Sequence, residues 1–149
     1  MRYWEDFAVG QTYTTDPVTM RQADIIRFAE KYDPQFFHTD PEAAKMGPFG
    51  KIAASGWHTA STGMRMMLEN LIKDVASQGA PGVKSLRWLK PVFPDDVLTL
   101  TSEVTEHYPS GSRPKIGFVG TRHTMTRQGD EVVMTMENVF MVIKREYAE

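Results

Sequence analysis

Asp33 and His38 stand five residues apart in the run Tyr32-Asp33-Pro34-Gln35-Phe36-Phe37-His38. A carboxylate and an imidazole at that spacing have the residue types for general acid–base work on one shared water. Pro34 disfavours the α region for Asp33, so the pair is expected in a short non-helical connection after a helix. Taken alone, Asp-Pro is a turn initiator and a loop histidine an ordinary polar surface group. Against that reading, a carboxylate at a helix C-terminus faces the negative end of the dipole, which stability does not favour. A second run, Ala54-Ser55-Gly56-Trp57-His58-Thr59-Ala60, places a glycine where a long helix begins. Its N–H has no carbonyl one turn back and no side chain in front of it, which suits a developing oxyanion. Equally, Ser55 reads as a plain N-cap and Gly56 as a glycine that permits close packing. On the oxyanion reading, Gly56→Val is expected to cost turnover more than folding.

The elements that must position these residues follow from periodicity and punctuation. After a short extended start near Gln11–Thr15, Thr19-Met20-Arg21-Gln22 reads as a capping box, and Ile25, Ile26, Phe28 and Ala29 as the apolar side of a helix ending about Tyr32. Asp40-Pro41 starts a short second helix, and Gly47-Pro48-Phe49-Gly50 forces a turn. The longest helix is predicted from Ser55 or Gly56 to Ser77, with Trp57, Ala60, Met64, Met67, Leu68, Leu71 and Val75 on its apolar face. Four strands follow, Val83–Lys90, Val97–His107, Lys115–Arg127 and Glu131–Lys144, the last two joined by a hairpin turn at Gln128-Gly129-Asp130. They exceed ordinary strand length, so bulges are expected. Helices first and strands afterwards give an α+β class with a long helix beside a curved antiparallel sheet.

Composition narrows the functions available. At 149 residues, with no linker or repeat, the chain reads as one domain over 1–149 with an adequate core. Cysteine is absent, which removes disulfides, thiolate metal sites and a thiol nucleophile. A net charge of −2 gives no general drive toward nucleic acid. No apolar run suits a membrane span, the N-terminus has no signal-like apolar stretch, and a cytoplasmic location is expected.

Together these runs resemble the MaoC-like acyl dehydratases, relatives of the (R)-specific enoyl-CoA hydratases. The family pattern Asp-x-Asn-Pro-x-His is similar to Asp33-Pro34-Gln35-Phe36-Phe37-His38, with the same Asp-to-His spacing. The family's central helix, opening on a His-Gly pair, resembles Ser55-Gly56-Trp57-His58-Thr59-Ala60-Ser61. Its Pro-Val-Phe-x-Gly-Asp strand entry resembles Pro91-Val92-Phe93-Pro94-Asp95-Asp96-Val97. Gln35, Phe36, Ser55 and Asp95 stand where the family has Asn, Pro, His and Gly.

The resemblance implies a hotdog fold and reversible hydration of a 2-enoyl thioester to a 3-hydroxyacyl thioester. Asp33, His38 and Gly56 would be catalytic, and Ser55, Trp57, Lys84, Arg87 and Lys90 would bind substrate. It implies no metal and no cofactor beyond the coenzyme A or acyl-carrier arm of the substrate, and a homodimer or higher oligomer built from dimers. Arg113 and Lys115 are further candidates for the phosphates of that arm, and a solvated basic face is an equal reading of all five cations. Met64 reads as core, with a wall of an acyl pocket as its alternative, and His107 and His123 as surface or strand-face residues. Two alternatives remain at this level: a hotdog thioesterase using Glu69 on the central helix, and a non-catalytic acyl-ligand binding module.

Overall fold

In the computed structural model, which describes residues 1–149, apolar alternation in the second half of the chain becomes one antiparallel sheet. Strands β1 (Thr12–Thr14), β2 (Val18–Thr19), β3 (Gly82–Trp88), β4 (Val97–Pro109), β5 (Ile116–Arg127) and β6 (Glu131–Ile143) are ordered β1-β4-β5-β6-β3, with β2 also on β4. Leu98 and Leu100 are buried while Thr99 and Thr101 face outward, as period-two alternation requires. Register shifts at Val83/Ser85, Val104/Glu106 and Met125/Thr126 are the bulges expected of strands this long. Between β5 and β6, Gln128 and Gly129 both have positive φ, the backbone that matches a tight hairpin to strand twist.

The helical half comprises α1 (Gln22–Tyr32), α2 (Phe36–Thr39), α3 (Pro41–Ala44) and α4 (Gly56–Met67). Helix α1 ends at Tyr32, as the proline after Asp33 dictates, but it does not start from a Thr19 cap. Thr19 pairs with Val97 in β2, and the hydrogen bonds of Met20 N to Asp96 O and Asp95 N to Met20 O keep the chain extended until Arg21. The stretch before His38 is not wholly irregular either, since Phe36–Thr39 closes one helical turn. Asp40 then caps α3, its carboxylate accepting from Glu42 N and Ala43 N beside Pro41 at the first turn.

The central helix is shorter than its sequence periodicity predicts. Its α-helical part stops at Met67, and Leu68–Ile72 continue as a π-helical segment. Residues facing the sheet are Thr59, Gly63, Met66, Met67 and Leu71, whereas Trp57, Met64 and Leu68 are exposed. The predicted apolar face therefore holds at Met67, Leu71 and Val75 and is wrong at Trp57, Met64 and Leu68. The core sits between α4 and the sheet, with Leu98, Leu100, Met125 and Met134 packed near Met66 and Met67. No helix is long and apolar enough to cross a membrane.

Candidate active site

Asp33 is the first residue past α1, and α2 turns the chain back so that His38 faces it. His38 Nε2 lies 3.4 Å from Asp33 Oδ2, both side chains being largely buried. The other ring nitrogen lies 2.6 Å from the carbonyl oxygen of Ala53. A carbonyl can only accept, so Nδ1 carries a proton, and in the neutral ring Nε2 is a bare acceptor. Two acceptors facing each other call for a proton or a water between them. Phe37 and Phe49 pack their rings near the imidazole and fix its plane.

The Asp33 carboxyl is held below the usual carboxylate range. Burial works to raise it, but the Gln35 amide, the Ser55 hydroxyl and the nearby His38 outweigh that penalty. Gln35 Nε2 donates to Asp33 Oδ1 at 2.7 Å, so the residue standing in the family's Asn position orients the carboxylate. Ser55 is fully buried; its hydroxyl leans toward Asp33 without completing a hydrogen bond, and it makes no cap to α4. Ser55 thus occupies the N-cap position, as its place before Gly56 predicts, but its side chain does not do the capping.

Ile52, Ala53, Ala54 and Ser55 are all buried, and this threaded segment brings the start of α4 against the pair. Ala53 N donates to Phe37 O and Ala54 N to Val92 O, which ties α2 to the loop after β3. Gly56 N, at the head of α4, finds no acceptor in the protein. His38, Gly56, Thr59, Trp88 and Lys90 line one cleft of about 380 Å³. A Cβ on Gly56 would sit 2.5 Å from Trp88 Cε2, so only glycine lets the indole close over the helix start. The expectation that Gly56→Val costs turnover more than folding is thus revised, because any side chain there must first displace Trp88.

The remaining predicted binding residues separate. Trp57 is exposed and packs edge-on against Trp88 at 5.1 Å, beside the cleft rather than in it. Lys90 lies on the cleft wall, its ammonium 2.7 Å from Glu131, whose carboxyl is pushed down to about 2 by Arg127 and Lys90. Arg87 alternates to the sheet face opposite Leu86 and Trp88. Lys84 is paired with Glu106 of β4, away from the cleft. Arg113 and Lys115 border a larger cleft of about 750 Å³ at the other end of β5, remote from Asp33 and His38. Trp88, Thr59 and Phe49 were not singled out from sequence. Nothing in a strand-end tryptophan announces that it will fold over a glycine from a distant helix.

An antiparallel sheet packed on one central helix, with an Asp–His pair at the head of that helix, is the layout of hotdog-fold dehydratases. A MaoC-like domain model matches residues 6–127. The chain is 30% identical over 141 residues to the uncharacterized protein YdeM of Bacillus subtilis, covering 95% of this chain and 98% of that protein. A crystal structure of a MaoC-like dehydratase from Rhodospirillum rubrum superposes with a TM-score of 0.88 at 36% identity, covering 97% of this chain and 99% of that one. An (R)-hydratase from A. caviae involved in PHA biosynthesis superposes with a TM-score of 0.74 at 25% identity, covering 91% and 97%. The chain belongs to the MaoC-like dehydratase family.

Proposed function

We propose that the protein hydrates a 2-enoyl thioester reversibly to a 3-hydroxyacyl thioester, with coenzyme A or an acyl-carrier arm as part of the substrate. The observation that carries this reading is His38 Nε2 facing the Asp33 carboxylate across 3.4 Å while Nδ1 is held by Ala53 O, beside the unpartnered N–H of Gly56. Asp33 and His38 hold one water between them. As its oxygen bonds to C3, one proton passes to His38 Nε2, and the C2=C3 electrons move toward the thioester oxygen. Gly56 N–H, at the positive end of α4, receives that oxygen. The imidazolium, stabilised by Asp33, returns its proton to C2, so atoms and charge balance. Such paired proton transfers contribute about 10²–10⁴-fold. Lys90 is the cation on the cleft wall, and it would meet a substrate phosphate by exchanging Glu131 for it.

No observation favours the thioesterase alternative. Glu69 lies in the π-helical segment, exposed and bound to Arg65, far along the helix from Gly56. The active form is proposed to be a homodimer. Strand β3 is a sheet edge, and Val83 and Trp88 on it, with Leu89 just after it, join Trp57, Met64 and Leu68 of the central helix and its π-helical continuation as exposed large apolar side chains.

The test is a panel of 2-enoyl-CoA thioesters followed for loss of enoyl absorbance and for free thiol together. Absorbance loss without thiol is expected. Thiol release would point to hydrolysis, and binding without either signal would leave a ligand-binding module.

A further inference from the structure

The buried segment that leads into α4 meets the Asp33–His38 site with three separate groups. Ala53 O holds His38 Nδ1 at 2.6 Å, and Gly56 N–H is left free at the helix start. Between them stands Ser55, whose backbone is fixed: its carbonyl accepts from His58 N at 2.9 Å and from Thr59 N at 3.1 Å. Ser55 is 0% exposed, and its hydroxyl has no hydrogen-bond partner. Nδ1 of His58, whose ring stacks on Phe28 of α1, is the other buried side-chain atom in that condition. A buried polar group left unpaired costs stability, so it calls for a reason.

The Ser55 hydroxyl lies close enough to Asp33 to help hold that carboxyl below its usual range. Gln35 Nε2 donates to Asp33 Oδ1 at 2.7 Å, and His38 Nε2 stands 3.4 Å from Oδ2. Among charged and titratable groups, His38 alone acts on Asp33. The two neutral donors differ in their setting. Gln35 is exposed, so water competes for its amide, whereas Ser55 is sealed from water and any bond it makes keeps its full strength. Serine also stands where the resembling pattern has histidine. A hydroxyl does not titrate in the working range, so this donor stays the same while a proton moves on and off His38.

We propose that Ser55 is a positioning residue for Asp33, its hydroxyl completing a hydrogen bond to the carboxylate when a bound acyl thioester closes the cleft. The inference rests on the thioester reading of the Asp33, His38 and Gly56 cleft. Closure takes water from around Asp33, and dehydration favours the protonated carboxyl, which could no longer stabilise an imidazolium. A buried donor offsets that effect, because a hydrogen bond to a charge strengthens as the surroundings dry. A bond completed only after substrate binds and charge develops on His38 lowers the barrier more than it tightens binding. Ser55 therefore works through Asp33, in place of the substrate contact that the resemblance implies for it.

The experiment is an NMR titration of the full chain with isotope-labelled aspartate carboxyls, the Asp33 signal being assigned by its loss in Asp33→Asn. Ser55→Ala is expected to raise the Asp33 titration midpoint by about half a pH unit in the free protein. The acidic limb of kcat, which reports the substrate complex, should move up by about one unit, with kcat about tenfold lower and KM little changed. Ser55→Cys, near in size but a weaker donor, should fall between, and it reads the same midpoint if the alanine variant does not fold. A merely structural hydroxyl would change the melting temperature and leave the Asp33 midpoint in place. An unchanged midpoint in the folded variant overturns the proposal, whatever the hydration panel shows. A raised KM with unchanged kcat overturns it too, by making Ser55 a substrate contact. A raised midpoint in a protein that hydrates no enoyl thioester would keep Ser55 as the partner of Asp33 and remove the hydratase reading.

Discussion

His38 has one ring nitrogen committed to Ala53 O and one free toward Asp33, and that division makes the pair testable at single atoms. Asp33→Asn keeps an oxygen for the Gln35 amide but removes the charge. His38→Gln keeps a donor for Ala53 O but removes the titrating ring. Each substitution is expected to lower hydration by about two orders of magnitude or more, far beyond the modest loss of melting temperature that removing a stabilising charge or ring brings. The double variant should be little slower than the slower single one, since groups acting as a unit are strongly non-additive. Additive, modest losses together with destabilisation would mean that the loop is only structural. The spacing of Asp33 and His38 was legible because a carboxylate, a proline and an imidazole constrain a short loop locally. The close fit of Trp88 over Gly56 was not, because the two residues are 32 positions apart and meet only through packing.

At the scale of elements, the loop between β3 and β4 carries a measurable strain. Asp95 has φ of 70°, a left-handed conformation that glycine adopts freely, and it is the residue standing where the resembling pattern has glycine. Asp95→Gly is expected to raise unfolding stability by about 0.5–1 kcal/mol, relief of strain being partly offset by a more flexible unfolded chain. Equilibrium denaturation would show it, and a loss of stability would mean that the Asp95 side chain contributes more than its backbone costs. The neighbouring Asp96 should not tolerate change. It is buried, and its carboxylate accepts from Phe93 N, Gln128 Nε2 and Arg127 Nη1. Elements were read well where punctuation is local, as at Tyr32, Asp40-Pro41 and Gln128-Gly129. They were misread at Thr19 and Met64, where a strand partner and a helix orientation decide the outcome.

At the scale of the whole molecule, half-buried His58 and buried His123 tie stability to pH. Burial lowers the proton affinity of both His58 and His123 below the ordinary 6.5; Asp24 opposes the shift at His58, and Asn138 at His123. A lowered folded value means that the unfolded chain binds protons first as pH falls. Stability should therefore be level above the ordinary histidine range and decline below about 6.5. A second decline should follow as pH falls through the carboxylate range, where the lowered values of Asp6, Asp33, Asp74 and Glu131 are lost. Melting temperature against pH checks this, and His123→Asn should shrink the first stage only. A melting temperature unchanged between pH 7.5 and 5.5 would contradict it. Assembly belongs to the same scale. Light scattering at micromolar concentration should give a dimer, and Leu68→Glu should weaken it; a stable wild-type monomer would leave the exposed face of α4 and β3 without its proposed cover.

By itself the sequence determined the α+β class, the four long strands, the Asp33–His38 pair and the glycine at the head of the central helix. These depend on residue type, on periods of two or about 3.6, and on prolines and glycines acting within a few positions of themselves. Tertiary structure alone decided that His38 spends its Nδ1 proton on Ala53, that Ser55 points at Asp33 instead of capping α4, and that Lys90 lines the cleft while Lys84 does not. It also decided that His123 lies in a buried polar row beside a cavity. Each of these is a contact between segments far apart in the chain, set by strand register and by the rotation of one helix, and neither quantity is written in any local run of residues.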